Sequence, residues 1–368
     1  MVQLKLITIA LTTFLLPLNI QAKPPKNYIL PNIIEGPVSI ETQVGQGSYD
    51  RAYIQTHNES SYEWWYFDAI SSDGKSSIVL ISLVTLSELG QGTELQGQIV
   101  TPEGEIFSNR SDYGPEGKLW VSTKGDGSSG IIGNGDFTWI GQPDLSQYVL
   151  NVNWPEKEMT GTITLISNAS PFVGCDAFGP DARTDTFWWF NWINLMGDAV
   201  AIVDLKVGDK KIAFTGNGYH DKNWGPVSFP SYVNYWYWGH GRAGDYSLVW
   251  SRIVDKDNIT ISSAWLTEGG KIIHSTCVHD DSIQVIPFGN NITIPPNRPN
   301  NTNNIDGFDI NINTGERGKY QFKFDSNQWT NGNQGNYARW IGNFKGGKVG
   351  DEPGIGVGIT EQMGPFGI

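Results

Sequence analysis

Charged residues are scarce in this chain. They make up 17% of its 368 residues, whereas about a quarter is usual for soluble domains. The charges present are mostly acidic, with 25 Lys and Arg against 38 Asp and Glu and a formal net charge of −13. Because phosphate contacts require Lys and Arg, this balance argues against a nucleic-acid-binding protein. It argues equally against binding to anionic membrane surfaces.

Cysteine and histidine are also scarce. The two cysteines, Cys175 and Cys277, are too few for a small domain held together by several disulfides. They form either one bridge between the two halves of the chain or two separate buried thiols, and an oxidising compartment favours the bridge. The five histidines are scattered. His220 and Asp221 have no partner at a metal-ligand spacing, so no metal site is predicted.

A single long apolar run occurs, at the N-terminus. Lys5 precedes the apolar stretch Leu6–Leu16, and Ile20-Gln21-Ala22 resembles a cleavage site, which is the pattern of a secretory signal peptide. The run is short for a bilayer and is interrupted by Pro17. We therefore predict a signal peptide over 1–22, a mature chain from Lys23 without a membrane span, and a place in the secretory pathway, secreted or vesicular.

Glycosylation sequons support this localisation. Six N-x-[ST] sequences occur, at Asn58, Asn109, Asn168, Asn258, Asn291 and Asn300. Each one arises easily by chance, but together with the leader they predict a glycoprotein of the eukaryotic secretory pathway.

Glycine, proline and tryptophan are abundant, at 44, 19 and 15 residues. Short β-branched or aromatic runs such as Tyr62–Ile70, Ser77–Leu86 and Ser247–Val254 alternate with turn clusters rich in Gly, Asp and Ser, a pattern typical of antiparallel strands. A weak helical pattern occurs around Thr186–Asn194. The sequence predicts an all-β protein built as sandwiches or barrels.

The mature chain is too long for one small barrel, and a break near Val207–Ala213 divides it. We predict a first domain over 23–209 and a second over 210–368. The polar, Pro-rich segment 290–304 has strand patterns on both sides. It is therefore predicted to be an insertion within the second domain.

Common catalytic signatures are absent: the sequence has no G-x-S-x-G, no H-E-x-x-H and no G-x-x-x-x-G-K. The segment Gly239–Gly244 matches G-x-G-x-x-G, but strand patterns lie on both sides where a dinucleotide site needs a following helix. We interpret it as a hairpin. Paired carboxylates for glycoside hydrolysis stay open, because their separation is spatial.

The segment Glu63-Trp64-Trp65-Tyr66-Phe67-Asp68 combines rings and carboxylates. In a strand, Glu63, Trp65 and Phe67 share one face, and Trp64, Tyr66 and Asp68 share the other. A carboxylate beside a Trp suits a partly polar cavity. An equally good interpretation is a strand buried on both sides, in which Glu63 pairs with an Arg.

A second segment, Gly216–Gly225, places Tyr219, His220, Asp221, Lys222, Asn223 and Trp224 between glycines. So many donors and acceptors are costly in a plain turn unless they satisfy one another. The segment is either part of a ligand site or a hydrogen-bonded corner between two sheets.

Further aromatic residues cluster at 187–192, at 235–238 and at Arg339-Trp340. Trp236 and Trp238 alternate onto one strand face, with Tyr235 and Tyr237 on the other. Core packing explains any one of these rings. Their number also suits the wall of an apolar ligand pocket.

The motifs EWWYFDA, GNGYHDKNWG and YWYWGHGR resemble the hydroxyneurosporene-synthase-like superfamily, and more closely its fungal Diels–Alderase branch. The resemblance extends from about Tyr62 to Trp340. It implies an N-terminal β-sandwich, a C-terminal lipocalin-like barrel and a ligand pocket between or within them. It also implies a cofactor-free [4+2] cycloaddition in secondary metabolism, acting on a small apolar polyene, quinone methide or terpenoid. The leader and sequons resemble secretory-route members that perform a hetero-Diels–Alder reaction.

Such a reaction needs a shaped pocket and hydrogen-bond donors rather than a nucleophile. The candidate lining residues are Trp65, Asp68, Trp188, Trp224, Tyr235, Trp236, Trp238 and Trp340. The candidate catalytic residues are Glu63, Tyr219, His220, Asp221, Lys222, Asn223 and Arg339. If a substrate must first be dehydrated, His220 with Glu63 or Asp221 would act as acid and base.

Alternative functions come from other classes. Carotenoid-hydratase relatives add water to a polyene. A secreted, Trp-rich β-protein also suits carbohydrate binding or cleavage, and a lipocalin-like carrier would bind an apolar ligand without turnover. Each predicts a different outcome in a binding or product assay.

Overall fold

Strands account for nearly all of the regular structure. The computed structural model describes residues 26–45, 48–86, 92–290, 292–293, 305–331 and 337–366. In this part of the chain the strands form two antiparallel sheets, which confirms the all-β prediction. Helical structure there is limited to α1 (Phe229–Tyr232) and two 3-10 turns, Pro155–Lys157 and Gly315–Arg317. None of the described helices is long and apolar enough to cross a bilayer.

The first sheet is built from the N-terminal part of the chain. Its strands are β1 (Lys26–Leu30), β2 (Tyr62–Ser71), β3 (Ser77–Thr85), β4 (Gly92–Val100), β5 (Ile106–Asp112), β6 (Leu119–Lys124), β7 (Gly127–Ile132), β8 (Phe137–Gly141), β9 (Gln147–Trp154), β10 (Met159–Ser167), β11 (Phe172–Val173), β12 (Asp185–Phe187), β13 (Phe190–Val207) and β14 (Lys210–Gly225). They follow the order β1-β6-β7-β8-β9-β10-β13-β14-β2-β3-β4-β5, with β11 and β12 paired to β13.

This sheet folds over a core of its own. At Gly97 in β4, an added Cβ would lie 3.0 Å from the ring of Trp154 in β9. Strands at distant positions in the sheet therefore face each other. Large buried rings such as Trp65, Trp139 and Tyr148 fill the space between them.

The second sheet curls around a separate core. Its strands are β15 (Val233–Ala243), β16 (Tyr246–Asp255), β17 (Thr260–Glu268), β18 (Lys271–Val278), β19 (Ile283–Gly289), β20 (Ile305–Asn313), β21 (Lys319–Asn331), β22 (Tyr337–Lys348) and β23 (Gly354–Met363). The order is β18-β17-β16-β15-β23-β22-β21-β20-β19, and β19 at one edge also contacts β16 and β17 near the other. Trp250, Phe308 and Phe344 lie in the enclosed core.

The change of sheet falls between Gly225 and Val233, which corrects the predicted domain boundary at 209/210. That boundary lies in the turn of a hairpin, because β13 and β14 pair from Val207 and Lys210 onward. Residues 210–225 therefore belong to the first domain. A turn signal such as Gly208-Asp209 marks the end of a strand whether or not a domain ends there.

Three further sequence features can be compared with the structure. The weak helical pattern at Thr186–Asn194 does not form a helix, because β12 and β13 form a hairpin around the turn at 188–189. Aromatic residues, which are frequent in this segment, favour strands. Segment 239–244 lies at the end of β15 and its hairpin. Cys175 and Cys277 form a disulfide that joins the loop after β11 to β18.

Strands β2 and β15 are buried on both faces along nearly their whole length, as are the parts of β14 and β22 at 218–225 and 338–342. One face of each strand packs into its own domain core, and the other packs against the opposite domain. The two-residue repeat of a strand therefore sorts each motif between a domain core and the interface.

Candidate active site

A cavity of about 350 Å³ lies at the interface between the two sheets. A volume of this order is suited to a small-molecule ligand. The wall combines polar side chains with many aromatic rings, which include Trp64, Tyr66, Trp192, Phe229, Trp236 and Trp238. These rings come from both domains, so the cavity exists only when the domains are docked.

The register of β2 with β14 determines which side chains reach this cavity. Tyr66 lies directly opposite Asp221, and Trp64 lies opposite Asn223. Residues opposite each other in an antiparallel pair lie on the same face. Both pairs therefore face the second domain, and all four residues line the cavity.

Asp221 is the central polar group of this wall. The Tyr219 hydroxyl and the Trp192 indole N–H donate to its Oδ2 atom at 2.8 and 2.7 Å. Its Oδ1 atom is buried and has no hydrogen-bond partner among the described residues. Burial raises the pKa of Asp221 to about 8, although both donors oppose the shift. Asp221 is therefore largely protonated at neutral pH. The Tyr219 hydroxyl also contacts Asn194 Oδ1, while the Trp192 N–H remains on Oδ2, and we place the proton on the unpartnered Oδ1 atom.

Arg339 forms the cationic part of the cavity wall. Its Nε donates to Glu361 Oε1 at 2.8 Å, and its Nη1 donates to Gln98 Oε1 at 2.8 Å. All three residues line the cavity. The guanidinium carbon lies 5.5 Å from the ring centre of Tyr66. Gln98 belongs to the first domain and Arg339 to the second, so this pairing also holds the domains together.

Two indole N–H groups on the wall differ in their partners. Trp64 Nε1 donates to Asn223 Oδ1 at 2.7 Å. Trp236 Nε1 is buried without a partner in the described part of the chain. An unpaired buried donor is costly. Trp236 is thus available to a ligand oxygen.

Metal ligands are not gathered here. Among the described residues, no three His, Cys, Asp or Glu side chains come together as a metal ion would require.

The model of the Diels-Alderase-like family matches residues 33–364. The chain belongs to this family. The match covers both sheets apart from β1, and every described residue that lines the cavity except Phe366. Membership supports a cyclase-type enzyme of fungal secondary metabolism.

Named relatives in the family differ in their reactions. The chain is 32% identical to the quinolone epoxide rearrangement protein asqO of Emericella nidulans, over 72% of this chain and 74% of that one. It is 28% identical to the quinolone epoxide rearrangement protein penF of Penicillium thymicola, over 86% and 89%. The Diels-Alderase ucsH of an Acremonium species is 26% identical, over 57% and 54%.

Solved structures share the architecture. CghA with Sch210972 superimposes with a TM-score of 0.75 at 17% identity, covering 92% of this chain and 98% of that one. Kievitone hydratase from Nectria haematococca gives a TM-score of 0.51 at 16% identity, over 82% and 88%. These likenesses support the lipocalin-like family fold.

Five of the residues predicted for the site line the cavity: Asp221, Asn223, Trp236, Trp238 and Arg339. The segments singled out in the sequence therefore contribute residues to the cavity wall. In each segment, however, only alternate residues face the ligand space.

Glu63 and Lys222 do not line the cavity, contrary to prediction. They lie in the first domain core, where Lys222 Nζ donates to Glu63 Oε1 at 2.7 Å and also contacts the Arg51 carbonyl oxygen. The backbone N–H of Tyr53 donates to Glu63 Oε1 at 2.8 Å. Burial raises the pKa of Glu63 and lowers that of Lys222, and their mutual attraction opposes both shifts. Glu63 thus pairs with a Lys rather than with an Arg.

Three neighbours share this inward face, because they alternate with the cavity residues. Lys222 Nζ lies 3.7 Å from the ring centre of Trp65. Trp224 stacks on Tyr53 with ring centres 3.9 Å apart. His220 stacks on Phe67, with its Nδ1 2.9 Å from the Tyr66 carbonyl oxygen. Trp65, Trp224 and His220 are core residues of the first domain.

Tyr235, Trp340 and Trp188 were also expected at the ligand and lie elsewhere. Tyr235 and Trp340 point into the second domain core, opposite in face to Trp236 and Arg339. Trp188 is 59% exposed and packs edge-on against Tyr232. Asp68 and Tyr219 lie on the same strand face as Tyr66 and Asp221, two residues away along each strand, but they do not line the cavity.

Several lining residues escaped the prediction. Trp64 and Tyr66 belong to a motif that was recognised, and pairing β2 with β14 in register would have found them. Gln98 and Glu361 lie on strands with no unusual sequence pattern. Their role depends on the docking of the two sheets, which local sequence does not encode.

Proposed function

We propose that this chain catalyses the cofactor-independent rearrangement of an epoxide carried by an apolar, ring-containing substrate of the quinolone type. The observation that carries the proposal is Asp221: a carboxyl on the cavity wall whose two donors both occupy Oδ2, with a pKa of about 8. A protonated acid in an aromatic cavity is suited to opening an epoxide. The names of asqO and penF support the same reaction class.

The chemistry is an isomerisation. Asp221 donates its proton to the epoxide oxygen as one C–O bond breaks, which leaves an electron-poor carbon. A neighbouring bond migrates or an internal nucleophile attacks, and the substrate then loses a proton to the enzyme. The faces of Trp64, Trp192, Trp236 and Trp238 suit this carbon, because aromatic rings stabilise positive charge. The aromatic rings of the wall also displace water from this carbon, which limits capture by water.

A [4+2] cycloaddition is the second candidate, and the indole N–H of Trp236 favours it. This unpaired donor, which lies beside the edge-on rings of Phe190 and Phe229, would polarise a dienophile carbonyl while the wall holds the diene in one geometry. This reaction would not depend on a protonated Asp221. The Asp221→Asn variant therefore distinguishes the two proposals, because it should abolish most epoxide rearrangement and leave a cycloaddition largely unaffected.

The function is tested with a quinolone epoxide in water enriched in oxygen-18. We expect a product of unchanged mass without the heavy label, because rearrangement keeps the epoxide oxygen. A labelled product heavier by one water would show hydration instead. Conversion of a linear polyene or quinone methide, with no turnover of the epoxide, would favour cycloaddition and overturn the first proposal.

We further propose that the chain matures in the secretory pathway. The Cys175–Cys277 disulfide fits an oxidising compartment. Of the described sequons, Asn168 and Asn258 are exposed. Asn58 Nδ2 already donates to the Gly36 carbonyl oxygen at 2.7 Å, and Asn109 lies half-buried within β5.

Glycans are therefore expected at Asn168 and Asn258 before Asn58 and Asn109. Mass spectrometry of the secreted protein, before and after enzymatic deglycosylation, measures the occupancy at each site. Asn168→Gln and Asn258→Gln should each remove one glycan mass. Unmodified Asn at both positions in protein recovered from a fungal host would contradict this proposal.

A further inference from the structure

A second group of coupled polar side chains lies beside Asp221 and has no part in the step described above. The Tyr66 hydroxyl donates to Asp68 Oδ2 at 2.9 Å, and His240 Nε2 lies 2.8 Å from the same oxygen. Asp68 and His240 are buried, and Asp68 Oδ1 has no partner in the described part of the chain. Tyr66 lines the cavity. A hydrogen-bonded chain thus runs from the cavity wall to a buried carboxylate and imidazole.

The position of this chain relative to Asp221 is fixed by strand register. Tyr66 lies directly opposite Asp221, and Asp68 lies opposite Tyr219. His240 stacks on the Tyr219 ring with centres 4.7 Å apart. The wall therefore presents a protonated carboxyl beside a tyrosine oxygen whose own proton is already directed to Asp68.

We propose that Tyr66, Asp68 and His240 form a proton-accepting relay that takes a ring N–H or O–H proton from the substrate. The inference rests on the proposed function, because it supplies the base that complements Asp221. It also narrows the substrate class to an epoxide whose ring system carries a weakly acidic N–H or O–H.

The protons gained and lost by the substrate and the enzyme balance over one turnover. The substrate N–H or O–H proton passes to the Tyr66 oxygen as the Tyr66 proton passes to Asp68 Oδ2, while His240 Nε2–H stabilises the carboxylate that accepts it. Asp221 gives one proton to the epoxide oxygen. The substrate thus loses one proton and gains one. After product release, Asp221 regains its proton and Asp68 loses its own by exchange with water.

Tyr66 acts as a conduit rather than as a stored phenolate. Burial raises the pKa of Tyr66 well above its usual value, and the nearby Arg339 opposes the shift only in part. The two transfers must therefore be concerted. Removing the hydroxyl breaks the chain between the cavity wall and Asp68.

The test compares a quinolone epoxide that has a free ring N–H and no O–H group with its N-methyl analogue, so that methylation removes the one proton the relay could take. Tyr66→Phe is expected to lower kcat on the N–H substrate about 100-fold with KM changed less than threefold. On the N-methyl analogue, wild type and Tyr66→Phe should turn over at the same reduced rate. Asp68→Asn should repeat this pattern, and urea titration of each variant reports whether it is folded.

Two outcomes distinguish a failure of the relay alone from a failure of the proposed epoxide rearrangement. If wild type converts both substrates and Tyr66→Phe slows both equally, Tyr66 only shapes the cavity and the relay is overturned. If wild type converts neither substrate, the proposed function has failed, and the relay, which depends on it, is overturned with it.

Discussion

Asp221→Asn is expected to lower kcat on the epoxide substrate by about two to four orders of magnitude, the usual contribution of a general acid. Asparagine keeps the shape and still accepts hydrogen bonds from Tyr219 and Trp192, but it holds no proton to transfer. Steady-state kinetics on purified protein measures the loss. Asp204→Asn, on an exposed carboxylate bridged to Lys211 at 3.4 Å, is the matched control and should leave kcat unchanged.

The role of Asp221 as an acid also predicts how kcat/KM changes with pH. Because burial raises the pKa of Asp221 to about 8, the acid form persists below that pH and is lost above it. Wild-type kcat/KM should be level on the acid side and fall about tenfold per pH unit above 8. An Asp221→Asn variant that retains at least a third of the wild-type rate, with the same pH break, would contradict the assignment. It would favour cycloaddition.

Lys222→Met should give the largest loss of stability. It leaves the Glu63 carboxylate buried in the first domain core without its counter-charge, and breaking such a pair costs about 3–5 kcal/mol. Urea unfolding of the variant and of wild type measures the difference. The folded fraction should keep kcat within threefold, because the Lys222 side chain points away from the cavity.

The double variant Glu63→Gln, Lys222→Met provides the control for that interpretation. With both charges removed, most of the lost stability should return, because no unpaired charge is left in the core and the amide oxygen introduced at position 63 can still accept from the Tyr53 N–H. Loss of turnover at full stability in Lys222→Met would show instead that this amine takes part in the reaction.

The limits of sequence interpretation are visible at these two residues. Asp221 and Lys222 are neighbours in one motif, and composition gives no reason to prefer either as a catalyst. Strand geometry separates them, because successive side chains point to opposite faces. The alternation of Trp236 with Tyr237 was predicted from sequence and is confirmed.

The sequence does not indicate which face of each strand points into its own domain core and which points toward the cavity. Where β2, β14, β15 and β22 meet the opposite domain, both of their faces are buried and both carry aromatic and polar side chains. No exposed face therefore marks the solvent side, and no pattern marks the ligand side. The predicted domain boundary at 209/210 was wrong for a similar reason, because the turn between β13 and β14 resembles a linker in sequence. The docking of two sheets decides both questions, and it depends on residues far apart in the chain.

The central claim is that Asp221 is a protonated acid in the empty cavity at neutral pH. Infrared difference spectroscopy tests it most directly, by comparing wild type with Asp221→Asn from pH 5 to about 10. We predict a protonated-carboxyl band that is present in wild type at pH 7, disappears through a transition near pH 8 and is missing from the variant. A carboxylate band already fully developed at pH 6 would contradict the claim.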